Sequence, residues 1–294
     1  MKKNWWIFII ISLLIALSFY LSKRLAVKES IIFFPLSENV LFTDANTTVS
    51  LIEKKNAEDH ILEWDVHSAT SEEIYLRQDI SLLFVDGELK HTMAEWEDHS
   101  QKLAQYEKIT GQDSSHYETI SFHYGEIHEN EEKIRSVQKM SEDHLYVIDS
   151  SFSKLTSFKN PVTEEEAEWK EILDHIQSQQ LHYRWERLIG HFQINPSQYI
   201  QFPLTDLPKY NEKPLEGFTK NETQTIIGTL WEGLYKQYFL GLKRKDGSIE
   251  DPIGSSLPLL LLAKDKTHLI VLIEGKSGYP YQLYQKIIEV EESI

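Results

Sequence analysis

The sequence predicts an α+β protein, with a single N-terminal transmembrane helix followed by a mixed body of antiparallel β-meanders and about three helices. Three observations carry that expectation. Residues 5–21 are an uncharged, largely apolar run. Three Thr-x-x-Glu pairs each stand before an apolar pattern of helical period, and between those patterns the period falls to two. Strand-like segments, then helices, then strands again is the order of an α+β chain and not of a regular βαβ repeat.

Residues 5–21 would form a helix of roughly 25 Å at 1.5 Å per residue, a little short of the ~30 Å hydrocarbon core. Extension to Val27 completes the span if Lys23 and Arg24 reach back to the headgroups. Trp5, Trp6 and Tyr20 mark the two interfaces. A cleaved signal peptide is the competing reading, with Lys2 and Lys3 as its basic end, but the small residues Ala16 and Ser18 lie inside the apolar run instead of beyond it. The flanking charges are balanced, so orientation rests on the basic-then-apolar segment that export machinery receives, which places the body outside the cytoplasm.

Within the body, Leu62, Trp64 and Val66 alternate with Glu63 and Asp65, and Ile120, Phe122 and Tyr124 alternate with Ser121 and His123, each pattern predicting a half-buried strand. Residues 145–148 and 269–273 read as more fully buried strands. Asp86-Gly87 predicts a hairpin turn, and the acidic run 129–132 predicts a solvated one.

The three capping boxes pair Thr92 with Glu95, Thr163 with Glu166 and Thr219 with Glu222. After Thr92, Met93, Trp96, Leu103, Tyr106 and Ile109 predict a helix stopped by Gly111. After Thr163, Trp169, Ile172, Leu173, Ile176 and Tyr183 form one stripe, which shifts near Gln179 as if the helix bends or breaks. After Thr219, a helix over 220–242 has an apolar face, including Ile227, Leu230, Trp231, Leu234 and Tyr238, too broad for a surface helix. Gly228 and Gly233 within it predict close approach by other elements. The chain divides on this reading into an anchor at 1–28, a juxtamembrane linker at 29–45, a β-rich region with one helix at 46–158, and a helical region with a C-terminal β-meander at 159–294. The last two form either one domain or two.

Charge and composition bound the function. The chain has 30 Lys+Arg against 46 Asp+Glu, a net −16, and because residues 1–28 hold five of the basic residues and no acidic one, the rest carries −21. Such a surface repels nucleic acid and anionic lipid. With no cysteine, disulfides, thiol nucleophiles, lipoprotein acylation and iron–sulfur clusters are excluded, and no cofactor is expected.

Eleven of the twelve histidines fall between His60 and His191. His123, Glu126 and His128 are the candidate metal ligands on one strand, with Glu171 and His175 as an i,i+4 pair on a helix. If 116–128 is a single strand, His123 faces away from His116 and His128, and Glu126 with His128 makes only two ligands. The Gly-Lys-Ser-Gly at 275–278 lacks the leading glycine and following helix of a phosphate loop and reads as a hairpin turn. Ser151-x-x-Lys154 lacks its companion motifs.

The sequence therefore favours a single-pass, membrane-anchored extracytoplasmic accessory or binding protein of the bacterial cell envelope, its partners the membrane and an envelope protein. The alternatives are an envelope hydrolase or metal-dependent enzyme with a His/carboxylate site assembled in three dimensions, and a cytoplasmic-facing tethered regulator.

Overall fold

The alternating segments of the first half pair into one seven-stranded antiparallel sheet. The computed structural model describes residues 32–56, 59–130, 133–150 and 154–287, all within one compact unit, Ile31–Ile294. The predicted anchor at 1–28 lies outside the described residues, as do residues 131–132 of the acidic run and 151–153 of the Ser151-x-x-Lys154 motif. No helix among the described residues is long and apolar enough to cross a membrane.

Seven strands build the first sheet: β1 (Phe42–Lys54), β2 (Asp59–Val85), β3 (Glu88–Met93), β4 (Glu97–Gln112), β5 (Ser115–His128), β6 (Ile134–Ile148) and β7 (Thr156–Phe158). Their order is β1-β2-β5-β6-β7, with β3 and β4 also on β2. The long β2 changes partners midway. Residues 59–70 pair with β1 and β4, residues 75–85 pair with β5, and register slips separate the two halves. The sheet folds back on itself there. Leu62, Trp64 and Val66 of the first half pack with Val49 and Ile109 against Leu83, Tyr117, Leu145 and Val147 of the second.

Hydrogen bonds cross between the two layers. Thr47 Oγ1 lies 3.2 Å from Thr119 Oγ1, and the Val49 amide donates to Asp143 Oδ2 at 2.8 Å. At the predicted Asp86-Gly87 turn both residues adopt positive φ, 50° and 77°, as a tight hairpin of this twist requires.

The helix expected after Thr92 is not formed: Thr92 lies in β3, and residues 97–112 are β4. Leu103, Ile109 and Tyr106 sit three apart, which imitates a helical stripe, but Tyr106 is 53% exposed. The inward residues are Leu103, Gln105, Ile109 and Gly111. Their period is two, disguised by a buried glutamine and a glycine. Gly111 is not a helix stop either. Its Cα packs against the His60–Tyr117 pair, where a Cβ would fall 2.2 Å from the Tyr117 hydroxyl.

The other two capping boxes form as predicted. Thr163 starts α1 (Glu164–His191) and Thr219 starts α2 (Lys220–Phe239), each accepting from the amide of the Glu three residues on, whose carboxylate reaches back. Helix α1 is continuous through Gln179. Its buried residues are Leu173, Gln177, Leu181, Leu188 and Ile189, whereas Ile172, Ile176 and Tyr183 of the expected stripe are exposed. One polar residue on the inner face, Gln177, displaced the apolar reading.

Helix α2 is the centre of the molecule. A second antiparallel sheet, β11-β10-β9-β8, is made of β8 (Tyr199–Pro203), β9 (Leu259–Ala263), β10 (His268–Glu274) and β11 (Pro280–Lys286). Leu260, Leu262, Leu269, Val271 and Ile273 on one face of that sheet join the cluster that holds Ile227, Leu230, Trp231 and Leu234 of α2. Ile80, Leu82, Ile120 and Phe122 of the first sheet complete it. On the other face, Leu259, Leu261, Ile270 and Leu272 cluster with Leu188 and Ile189 of α1. The C-terminal strands thus form their own sheet and do not extend the first.

Both glycines of α2 are sites of close approach, as expected: a Cβ on Gly228 would meet the Phe33 ring at 2.0 Å, and one on Gly233 would meet Leu283 at 2.7 Å. Phe33 belongs to the stretch read as a linker. Its neighbours are tied to the body by Tyr124, whose hydroxyl donates to the Ile32 carbonyl at 2.7 Å, and by Ser136, which donates to the Phe34 carbonyl.

Candidate functional site

Two adjacent strands carry polar residues where the rest of their face is apolar. On β5 the face that begins with His116 and Glu118 continues as Ile120, Phe122 and Tyr124; on β6 the matching face runs Tyr146, His144, Glu142, then Met140. In register, His116 stands beside Tyr146 and Glu118 beside His144. The apolar end is covered by α2. The polar end is flanked by α1 and by η2 (Leu204–Asn211), a 3-10 helix, which leaves a cleft of about 370 Å³. Lys170 of α1, Asn160, and Thr205 and Asp206 of η2 complete its walls.

Most charges around this cleft are already partnered. Lys159 donates to Asp143 at 2.6 Å and Lys209 to Asp206 at 2.6 Å. Lys170 pairs with Asp174 and also donates to the Tyr146 hydroxyl at 3.0 Å, which itself donates to Asp174 at 2.7 Å. Burial pushes the Tyr146 phenol up to about 12. Burial alone would raise Asp174, but hydrogen bonds from Lys170 and Tyr146 hold its carboxyl below the usual range. Glu142 has no basic partner at ion-pair distance among the described residues, and loss of water together with the nearby Asp206 and Glu118 raises its carboxyl above the ordinary value.

His116 is the distinctive group. It is 7% exposed, its ring lies flat on Tyr146 with centroids 4.1 Å apart, and Phe158 stacks on the far side of Tyr146. A chain of acceptors assigns its tautomer. Glu118 accepts from the Gln177 amide nitrogen, so Gln177 Oε1 faces His116 Nδ1, 2.9 Å away. An amide oxygen only accepts, hence Nδ1 carries the hydrogen. Nε2 is buried and without a hydrogen-bond partner. Leaving such an atom unpaired costs about 1–3 kcal/mol. His116 lines the cleft, but its Nε2 has essentially no accessible surface of its own.

The residues singled out in the sequence are placed elsewhere and apart. His123 is fully buried inside the folded sheet, with Nδ1 2.8 Å from Ser68 Oγ and Nε2 2.7 Å from Ser141 Oγ. That spacing suits a nucleophile, base and orienting group. The imidazole has no exposed surface, however, and the Ser81–Ser121 and Thr47–Thr119 bonds continue the same polar filling between the layers. Glu126, also buried, bonds His128 at 3.1 Å. Glu171 and His175 lie on the opposite side of Lys170, lining an open depression with Pro161, Ala167 and Asp174. Among the described residues no three His, Asp or Glu side chains stand together as a metal site would need.

His116 was legible as part of a histidine-rich segment, but its partners were not. The spacing His116-x-Glu118 on one strand and Glu142-x-His144-x-Tyr146 on the next was the available signal, since two period-two polar runs on paired strands make one polar face. Gln177 and Asp206 left no such trace. Chemically, the cleft offers acceptors at its carboxylates and donors at Asn160, Thr205 and Lys170. No side chain among the described residues lies within hydrogen-bond reach of His116 Nε2.

Comparison of the chain with protein families, with characterised proteins and with solved structures finds no match. The reading of the cleft accordingly rests on its own geometry.

Proposed function

We propose that this chain is a single-pass membrane-tethered accessory or binding protein, its body outside the cytoplasm in a bacterial envelope, and that the cleft between α1 and η2 is where it recognises a ligand. The observation that carries the binding role is the cleft itself, about 370 Å³ and lined by His116, Glu118, Glu142, Asn160 and Asp206, in which Lys209 holds Asp206 while Glu142 has no basic partner at ion-pair distance among the described residues. A wall fixed in advance and one acceptor left open is how a recognition site keeps its ordering cost low. The tether is supported by the uncharged run at 5–21, and the location by the basic-then-apolar composition of residues 1–28.

Topology is tested with C-terminal fusions to the full chain. An export-dependent phosphatase fused after Ile294 is expected to be active and to sediment with membranes. An inactive phosphatase with a bright cytoplasmic fluorescent fusion would overturn the location, and soluble full-length protein would overturn the tether.

A further inference from the structure

Helix α1 has a second apolar row that the fold does not use. Its inward residues, Leu173, Gln177, Leu181 and Leu188, are buried. On the outer side Trp169, Ile172, Ile176, Gln179 and Tyr183 recur at alternating steps of three and four residues, the spacing of a coiled-coil seam. Ile172 is 48% exposed, Ile176 45% and Tyr183 69%. Single apolar residues scattered over a surface need no partner, but a row held on one face over about four turns calls for a cover.

The order of the row says what fits it. Trp169 and Tyr183 stand seven residues either side of Ile176, and Glu165 and Arg187 stand eleven residues either side. An aromatic ring therefore lies toward each end, with a carboxylate beyond one and a guanidinium beyond the other. Arg187 lies over the Tyr183 ring at 5.7 Å and keeps about half of its side chain exposed while it pairs with Glu274, so its charge belongs to the row. A two-fold rotation through Ile176 lays Ile176 on its own mate, each Trp169 beside a Tyr183 and each Glu165 beside an Arg187. A parallel pair would instead stack the acidic first turns, with Glu164, Glu165, Glu168 and Glu171, on themselves. An isologous contact has to be complementary to itself, which this order satisfies and which a surface for an unrelated partner has no need to satisfy.

We propose that α1 is a homodimerisation surface, pairing antiparallel with α1 of a second copy of the chain about a two-fold axis at Ile176. The seam from Glu165 to Arg187 supplies seven positions a side, well below the roughly 20–30 residues a side of a stable interface. The pair accordingly forms at micromolar concentrations and above, and melting of the dilute protein is that of the single chain.

The test is sedimentation equilibrium of the full chain in density-matched neutral detergent, where a concentration-dependent monomer–dimer equilibrium is expected. Ile176→Glu sets two carboxylates against each other on the axis and should raise the dissociation constant roughly tenfold or more, with the thermal midpoint of the dilute chain unchanged. If that variant melts early, Tyr183→Glu, at the more exposed position, decides the matter. Because the chain has no cysteine, single cysteines report the geometry. Ile176→Cys should be joined to its mate by a short bismaleimide. Gly190→Cys, where an added Cβ meets nothing within 4 Å, should not, since the antiparallel pair holds the two sites about 42 Å apart along the axis. A monomer at every concentration, a dimer unmoved by either glutamate, or linkage of Gly190→Cys as efficient as that of Ile176→Cys would each overturn the proposal.

Discussion

Truncating Trp231 to alanine removes the largest side chain of α2 at the point where two sheets meet on it. Trp231 has no exposed surface, stacks on Phe122 with centroids 5.1 Å apart and planes within 9°, and places Nε1 3.4 Å from Met140 Sδ. A core tryptophan buries ~150–250 Å², which at about 25 cal/mol per Å² corresponds to roughly 4–6 kcal/mol. Alanine keeps the Cβ share, and the unfolded chain is already partly compact, so about 3–5 kcal/mol is the expected loss. In a chain of this size, that lowers the melting midpoint by about 10 °C.

The assay is thermal melting of the full chain in detergent by near-ultraviolet circular dichroism. Ile172→Ala, at a residue 48% exposed, is the control and should change stability by no more than ~0.5 kcal/mol. If Trp231→Ala melts within the range of that control, α2 is not the centre of the core. Its broad apolar face would then have to be a docking surface.

Two further outcomes follow from the packing and charge pattern. Gly228→Ala should destabilise by about 1–3 kcal/mol despite alanine's better helix propensity, because the new Cβ meets Phe33 at 2.0 Å. In a Phe33→Ala background the penalty should shrink to what the remaining approach to Gln138 Oε1, at 2.8 Å, leaves, and an equal penalty in both backgrounds on chemical denaturation would refute the contact. For Glu250, burial alone would raise the pKa, but hydrogen bonds from Tyr281, Ser277 and Arg244 hold it down at about 2. A depressed carboxylate stabilises the fold fully above its unfolded pKa, about 4.3, and that contribution is lost as pH falls toward 2. Glu250→Gln should therefore lower the midpoint at pH 7 and flatten its decline between pH 4.5 and 2; a wild-type slope in the variant would assign the acid sensitivity elsewhere.

How far the sequence could be read depended on how local the cause was. The capping boxes at Thr163 and Thr219 bond groups three residues apart, and both helices begin where those bonds place them. The Thr92–Glu95 pair has the same letters, yet the chain there pairs as a strand. Thirteen residues of β2, from Asp59 to Leu76, have partners on β4, which outweighs two cap hydrogen bonds. In the candidate site, Glu118 and Glu142 lie in readable strands, whereas His116 meets Gln177 across 61 positions of sequence.

The sequence by itself determined the acidic charge, the absence of thiol chemistry, the apolar run at 5–21, the hairpin at Asp86-Gly87 and the broad apolar face of α2. Only the tertiary structure decided that 97–112 is a strand, that β2 carries both layers of a folded sheet, and that His116, Glu142 and Asp206 line one cleft. Periodicity, caps and turns arise from bonds between residues a few positions apart and leave their mark on any short window. Strand partners and convergent side chains are chosen by burial among distant segments, and the same short window is compatible with several of those choices.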